Sequence, residues 1–124
     1  MNNGPMNVTW SSFYSPYSEE TVKKYVPTSA GVYLLWVKLK DGKWRCFYAG
    51  QASNLEGRLL EHLGEDEENE CLKKNVSKYI CGFEYAEVGL QKNRDGIEKF
   101  LYDHYRPECN QIDPGGTPIV VNLP

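Results

Sequence analysis

The chain has 124 residues, 40% of them hydrophobic and 25% charged, which is typical of a single globular domain with a modest core. Its formal net charge of -3 argues against a protein that coats nucleic acid nonspecifically, although a local basic face is compatible with it. No stretch is long and hydrophobic enough for a signal sequence or a membrane span, so we expect a cytoplasmic protein that does not bind membranes. The cysteines and histidines lack the spacing of zinc ligands, so we expect free thiols.

The first predicted element is a short helix that follows a polar, aromatic-rich stretch. Ser18 can cap this helix, and Pro27 would end it. We assign residues 1–27 to an N-terminal extension, residues 28–112 to the main domain and residues 113–124 to a C-terminal tail.

The next predicted element is a β-hairpin. Two apolar runs flank Asp41-Gly42, a dipeptide that favours a two-residue hairpin turn. Counting outward from that turn, Tyr33 lies opposite Gly50 and shares a sheet face with Tyr48, about 7 Å away across the strands. The glycine is expected to leave the surface beside the Tyr33 ring uncovered. From the hairpin alone, we favour ordinary packing of the two tyrosines over a functional site.

Two helices and an acidic loop follow the hairpin. The first helix begins with the capping box Ser53-x-x-Glu56. The acidic run over 65–70 is interpreted as a solvated loop. The apolar stripe of the second helix is predicted to consist of Leu72, Val76, Tyr79 and Ile80.

The last predicted elements complete the sheet and cover it. Residues 83–88 form a third strand, residues 95–106 a final helix that ends before Pro107, and residues 119–123 a candidate edge strand. This order predicts an α+β fold with a small, mainly antiparallel three-stranded sheet flanked by helices.

A series of motifs runs along residues 31–110. In chain order they are Gly31-Val32-Tyr33, Tyr48-Ala49-Gly50, Arg58, Glu98 and Asn110. Two tripeptides on a hairpin, an arginine in the following helix, a glutamate in a later helix and a downstream asparagine resemble the pattern of the GIY-YIG nuclease family. Val32 and Ala49 stand where the family pattern has isoleucine, and both replacements are apolar.

Several of these polar residues also have simpler structural explanations. Arg58 is compatible with an exposed arginine paired with a nearby glutamate. His62, four residues later on the same helix border, suits helix packing and a site equally well. Glu98 could close a helix start through Asp95-x-x-Glu98, and Asn110 could cap or brace a loop.

The resemblance implies roles in phosphodiester hydrolysis. The candidate catalytic residues are Tyr33, Tyr48, Arg58, His62, Glu98 and Asn110. Glu98 would hold one divalent ion, Mg²⁺ or Mn²⁺, and Arg58 would bind the scissile phosphate. Tyr33 would take a proton from the attacking water, and Tyr48 would orient water or phosphate. Because a free tyrosine has a pKa of about 10, Arg58 and the metal are expected to lower it.

The resemblance therefore implies a metal-dependent endonuclease that cleaves DNA. Two alternatives stay open: a nucleic-acid-binding or interaction module with little catalysis, and a nuclease that acts on RNA. Candidate phosphate contacts at the hairpin turn are Lys38, Lys40, Lys43 and Arg45. The acidic run over 65–70 is expected to project away from the site, because carboxylates repel phosphates.

Overall fold

The computed structural model describes residues 5–124, which form a three-stranded antiparallel sheet with helices on both faces. The helices are α1 (Glu19–Tyr25), α2 (Leu55–Leu63), α3 (Glu70–Lys78) and α4 (Gln91–Tyr105). The strands are β1 (Gly31–Lys38), β2 (Trp44–Ala52) and β3 (Cys81–Glu87), in the spatial order β2-β1-β3. The predicted α+β class is confirmed. No helix in the described part of the chain is long and apolar enough to cross a membrane.

The hairpin keeps the predicted pairing at the tyrosines but not at the turn. Tyr33 lies opposite Gly50, as predicted. Phe47 has no partner in the ladder, and this bulge shifts the pairing by one residue on the turn side. The turn has three residues rather than two, because Gly42 adopts a φ of 88° and donates to the carbonyl of Leu39. The two deviations cancel at the tyrosine end of the hairpin.

The sheet separates two half-cores. Tyr33 and Leu35 point to the face covered by α1 and α2. Val32 points to the opposite face, where it packs with Ile97 of α4. Ala49 belongs to the same half-core, so both departures from the family pattern lie on the side of the sheet away from the tyrosines.

Residues 10–17 run along the outer edge of β3. Their backbone hydrogen bonds connect Ser11 with Tyr85, Tyr14 with Phe83, and Tyr17 with Cys81. Edge strands expose unpaired backbone groups, and this segment satisfies them. Helix α1 then begins behind the Ser18 cap and ends before Pro27, as predicted. The first four residues of the predicted extension lie outside the described residues.

Two helices start elsewhere than predicted. Asn54, not Ser53, caps α2 by accepting a hydrogen bond of 2.9 Å from the N–H of Gly57. Helix α4 begins at Gln91, four residues before the predicted start at Asp95, and its first turn has no side-chain cap. The absence of a cap explains why the local pattern pointed to a later start.

Two predicted apolar segments are not part of regular elements. Tyr79 and Ile80 lie beyond the end of α3 and are exposed, so the predicted stripe stops short of them. Residues 119–123 do not form a strand, since Val121 makes only a single bridge, to Met6.

A disulfide joins Cys71 and Cys109, which corrects the expectation that all cysteines are free. Their sequence separation of 38 gave no local indication of the pairing. Cys46 and Cys81 are free and buried. Beside the disulfide, Asn69 donates a hydrogen bond of 2.8 Å to the carbonyl of Cys109. These links tie the start of α3 to the segment that follows α4.

Candidate active site

Two stacked tyrosines form the base of the site on the face covered by α2. The ring centroids of Tyr33 and Tyr48 are 6.1 Å apart, which confirms the predicted same-face arrangement. The Tyr33 ring lies across Gly50, where an added β-carbon would be 2.5 Å from the phenol oxygen. The surface expected to be uncovered is therefore filled by Tyr33 itself. Tyr33 is 1% exposed, whereas Tyr48 is only partly buried.

His62 connects Tyr33 to a carboxylate. Its Nε2 is 2.7 Å from the Tyr33 hydroxyl, and its Nδ1 is 2.5 Å from Oε1 of Glu67. Burial lowers the pKa of His62, and the Glu67 carboxylate opposes this without outweighing it. Burial raises the pKa of Glu67, but hydrogen bonds from the Asn69 N–H and from His62 outweigh it and lower that pKa. At neutral pH the pair is therefore a neutral imidazole beside a carboxylate.

Arg58 lies at the exposed side of the tyrosines. Its guanidinium donates a hydrogen bond of 3.1 Å to Glu61, and its side chain is 42% exposed. The surface ion pair considered from the sequence is thus present. Burial raises the pKa of both Tyr33 and Tyr48, and the nearby guanidinium opposes this without outweighing it. Within the protein alone, the expected lowering of the tyrosine pKa does not occur.

A cavity of about 620 Å³ opens beside these side chains. Its wall includes Tyr48, Arg58, His62, Asp66, Glu67 and Glu68. The prediction that the acidic run projects away from the site is therefore wrong for these three carboxylates. Glu67 turns inward because it accepts hydrogen bonds from both His62 and the Asn69 backbone.

Glu98 lies within α4 and is held by a residue of β2. Because α4 begins at Gln91, Glu98 is not at the helix start, and the capping-box explanation is excluded. Gln51 donates hydrogen bonds of 3.0 Å to Glu98 and 2.7 Å to Asp95. Burial and the charge of Asp95 raise the pKa of Glu98. The charge of Glu98 in turn contributes to the raised pKa of Tyr48.

The surroundings of Glu98 fit a magnesium ion that has few protein ligands. Mg²⁺ prefers oxygen ligands, is often bound through one or two carboxylates, and keeps several waters. The carboxylate of Glu98 is half-buried, and a second carboxylate, that of Asp95, accepts a hydrogen bond from the same side-chain amide of Gln51. Across residues 5–124, no group of three or more histidine, cysteine, aspartate or glutamate side chains is arranged to hold a metal. The donor set suits an ion bound mainly by Glu98, water and substrate.

Asn110 binds the outer edge of β2. Its side chain accepts a hydrogen bond of 2.9 Å from the N–H of Ala49 and donates one of 2.8 Å to the Ala49 carbonyl. Next to it, the backbone N–H of Cys109 donates a hydrogen bond to the carbonyl of Phe47. Asn110 therefore holds the backbone of the second tripeptide, which agrees with the bracing explanation considered from the sequence.

The structure places the six predicted residues in three groups. Tyr33, Tyr48, Arg58 and His62 lie together, Glu98 of α4 is hydrogen-bonded to Gln51 of β2, and Asn110 contacts the backbone beside Tyr48. Sequence reasoning missed Glu67 and Gln51. Gln51 directly follows the second tripeptide, whereas Glu67 was one acid among several in a loop, and only its contact with His62 distinguishes it.

Known proteins of one kind are similar to this chain. No family profile matches the chain. UvrABC system protein C of Mycoplasmopsis agalactiae is 33% identical over 87 residues, which are 70% of this chain and 14% of the length of that relative.

Solved structures of one bacterial domain are also similar. The GIY-YIG N-terminal endonuclease domain of UvrC from Thermotoga maritima, bound to magnesium, is 25% identical with a TM-score of 0.53, covering 73% of this chain and 97% of that chain. A tyrosine-to-phenylalanine mutant of the same domain, bound to its catalytic divalent cation, is 25% identical with a TM-score of 0.54, covering 75% of this chain and 98% of that chain.

Proposed function

Because this chain belongs to the GIY-YIG family, we propose that it is a divalent-metal-dependent endonuclease that hydrolyses phosphodiester bonds in DNA. The observation that carries this proposal is the convergence of Tyr33, Tyr48, Arg58 and His62 beside one cavity. The similar domain from Thermotoga maritima is an endonuclease domain that binds a catalytic divalent cation. The activity, the DNA substrate and any partners remain proposals, since the chain spans 14% of the curated relative.

Glu98 is the proposed protein ligand of one divalent ion, Mg²⁺ or Mn²⁺. When bound, such an ion supplies positive charge that stabilises the phosphate and the departing oxygen. Gln51 orients the Glu98 carboxylate by donating to one of its oxygens. A supporting amide of this kind fixes a metal-binding carboxylate without adding charge.

The remaining side chains act on the phosphate and the attacking water. Arg58 binds the scissile phosphate, because its planar guanidinium can donate to two phosphate oxygens at once. On binding, the phosphate replaces Glu61 as the acceptor of the Arg58 hydrogen bond. Tyr33 accepts the proton of the water, and Tyr48, which lines the cavity, orients water or phosphate. Asn110 holds the strand next to Tyr48 in place.

A second candidate function is a nucleic-acid-binding or interaction module with little catalysis. Asp66, Glu67 and Glu68 line the same cavity and repel phosphates, which counts against a scissile phosphate at that cavity, whereas basic residues such as Lys38, Arg45 and Lys74 line a separate one. RNA as the substrate is a third outcome that the same assay distinguishes.

The test is a nicking assay with supercoiled plasmid DNA and with single-stranded RNA, in Mg²⁺, in Mn²⁺ and in EDTA. We expect metal-dependent nicking of DNA by the wild-type chain. Glu98→Gln keeps the size of the side chain but removes the charge that holds the ion, and it should reduce nicking about 10³-fold.

Asp103→Asn is the matched control. It also removes one negative charge from α4, and Lys99, its partner, keeps a second ion pair with Asp113. This variant should nick like the wild type. Equal nicking by Glu98→Gln and the control would remove Glu98 as the metal ligand, and binding without nicking by every variant would favour the second function.

We propose that residues 28–112 form the nuclease domain and that residues 10–27 fold as part of it, since they cover β3 and contribute α1. The tail over 113–124 packs on α4 through Ile119. We also propose a cytoplasmic location. The disulfide between Cys71 and Cys109 counts against this location, because disulfides are rare in reducing compartments.

A further inference from the structure

Two buried side chains and one largely buried carboxylate form a hydrogen-bonded line that ends at the proposed base. Tyr33 contacts Nε2 of His62, and Nδ1 of His62 contacts Glu67. Both oxygens of Glu67 are used, since Oε2 accepts from the backbone N–H of Asn69 at 2.9 Å. The side chain of Glu67 is only 10% exposed, so these contacts, rather than water, determine its orientation.

This line has one consistent direction. Glu67 is ionised and can only accept, so Nδ1 of His62 must carry the hydrogen. Nε2 of the neutral imidazole is then an acceptor, and the Tyr33 hydroxyl must donate to it. With its hydrogen directed to His62, the phenol oxygen has only lone pairs left for a further hydrogen bond. In the opposite tautomer, Nε2 would donate to Tyr33, and the phenol hydrogen would point at the water.

We propose that Glu67 is a positioning residue that holds His62 in the Nδ1–H tautomer, so that Tyr33 can accept a proton from the attacking water while it passes its own proton to His62. This inference rests on the proposed nuclease function. The structure suggests why such a relay is needed: Tyr33 is buried, and a free phenolate there is disfavoured.

The proton and electron balance is complete without a further reactant. The water oxygen forms a bond to phosphorus, and the bond from phosphorus to the leaving oxygen breaks. The water proton moves to Tyr33, the phenol proton moves to Nε2 of His62, and the imidazolium that forms is stabilised by the Glu67 carboxylate. His62 later returns its proton to solvent, and the leaving oxygen takes a proton from solvent.

The loop that presents Glu67 is held at both ends. Glu67 follows the end of α2, and Asn69 caps α3 by accepting from the N–H of Leu72. The side-chain amide of Asn69 also donates a hydrogen bond to the carbonyl of Cys109, and Cys71 forms a disulfide with the same cysteine. The carboxylate therefore has a defined position even though its neighbours Glu65, Asp66 and Glu68 are exposed.

Glu67→Gln is the sharpest perturbation. Because both glutamate oxygens accept from N–H groups, and a glutamine has only one oxygen, the variant must abandon one of the two bonds. If the amide oxygen stays on Asn69, the new NH₂ group donates to Nδ1 and reverses the tautomer of His62. Glu65→Gln is the matched control, since it removes an equal charge from an exposed position in the same loop.

Two measurements test the proposal. The first is the tautomer of His62, read from the nitrogen shifts of its ring in a proton–nitrogen correlation spectrum, which is simple because the chain has only two histidines. We expect the Nδ1–H form in the wild type and in Glu65→Gln, and a shift toward Nε2–H in Glu67→Gln. The second is single-turnover nicking against pH, in which Glu67→Gln should lose about 10²-fold in rate with no loss of DNA affinity.

The pH profile separates positioning from simple loss of stability. The charged or titratable groups that face His62 are Tyr33, Tyr48, Glu67, Arg58 and Glu61, and those that face Tyr33 are His62, Tyr48, Arg58 and Tyr17. The nicking rate should fall at acid pH, because His62 becomes protonated there and can no longer accept a hydrogen bond from Tyr33. Removing the Glu67 charge lowers the pKa of His62 further, so the acid limb should move to lower pH in Glu67→Gln.

The outcomes are distinguishable. A wild-type His62 in the Nε2–H form, or wild-type turnover and an unchanged acid limb in a folded Glu67→Gln, would overturn the proposal. If the wild type nicks no substrate, the nuclease function fails, whereas the tautomer measurement still decides whether Glu67 orients His62. Thermal unfolding of each variant establishes that the fold is retained.

Discussion

The close approach of Tyr33 to Gly50 makes a methyl group at residue 50 a direct test of the site. In Gly50→Ala the new β-carbon would lie 2.5 Å from the phenol oxygen and 2.6 Å from its ring carbon. The ring must move by about 1 Å to reach ordinary contact. Overpacking costs about 1–3 kcal/mol, and breaking the hydrogen bond between Tyr33 and His62 adds about 1 kcal/mol.

We therefore expect Gly50→Ala to lose about 3 kcal/mol, a fall in Tm of about 10 °C for a domain of this size. A displacement of about 1 Å at a reacting group should also slow nicking about 10²-fold, even at temperatures where the variant is folded. Calorimetry and the single-turnover nicking rate at 20 °C below the Tm of the variant give the two values.

Gly89→Ala is the control, because a β-carbon at residue 89 meets no atom within 4 Å. It should leave both stability and rate near the wild-type values. If Gly50→Ala matches this control in Tm and in nicking, then Tyr33 does not lie across Gly50, and the register of the hairpin at the tyrosines is wrong.

Two further predictions concern the disulfide and the basic residues. Cys71→Ser removes the disulfide, which closes a loop between two cysteines with a sequence separation of 38. Urea unfolding without reductant should therefore show a free energy of unfolding about 4 kcal/mol lower than that of the wild type. Added dithiothreitol should abolish this difference. A second cavity, of about 350 Å³, is lined by Lys38, Lys40, Arg45 and Lys74, which brings the hairpin turn and α3 together. If DNA phosphates bind there, changing Lys38 and Lys74 to alanine in the Glu98→Gln background should reduce the slope of log affinity against log salt by about 2. Changing Lys23 and Lys24 of α1 to alanine is the control and should leave the slope unchanged. Equal slopes for the two double variants would show that this surface does not contact phosphates.

Much of the fold is determined by local sequence. The apolar runs on either side of Asp41-Gly42 specify the hairpin, and Ser18 with Pro27 sets both ends of α1. The spacing of the two tripeptides led to the correct shared face for Tyr33 and Tyr48, but only because the bulge at Phe47 compensates for the extra residue in the turn. The same local order carried the family resemblance.

Boundaries and partners depended on contacts between segments distant in sequence. Helix α4 starts at Gln91 without a side-chain cap, so no local motif indicated that Glu98 lies inside the helix rather than at its start. Cys71 and Cys109 meet only because the segment after α4 returns along β2.

The site shows the same division most clearly. The sequence alone shows which residues match the family pattern, because their order along the chain is itself the pattern. Only the tertiary structure shows which acid among the carboxylates over 65–70 contacts His62. Neighbouring glutamates have the same local propensities, and Glu67 differs from the others because the end of α2, the start of α3 and the Cys109 segment together bring it to His62.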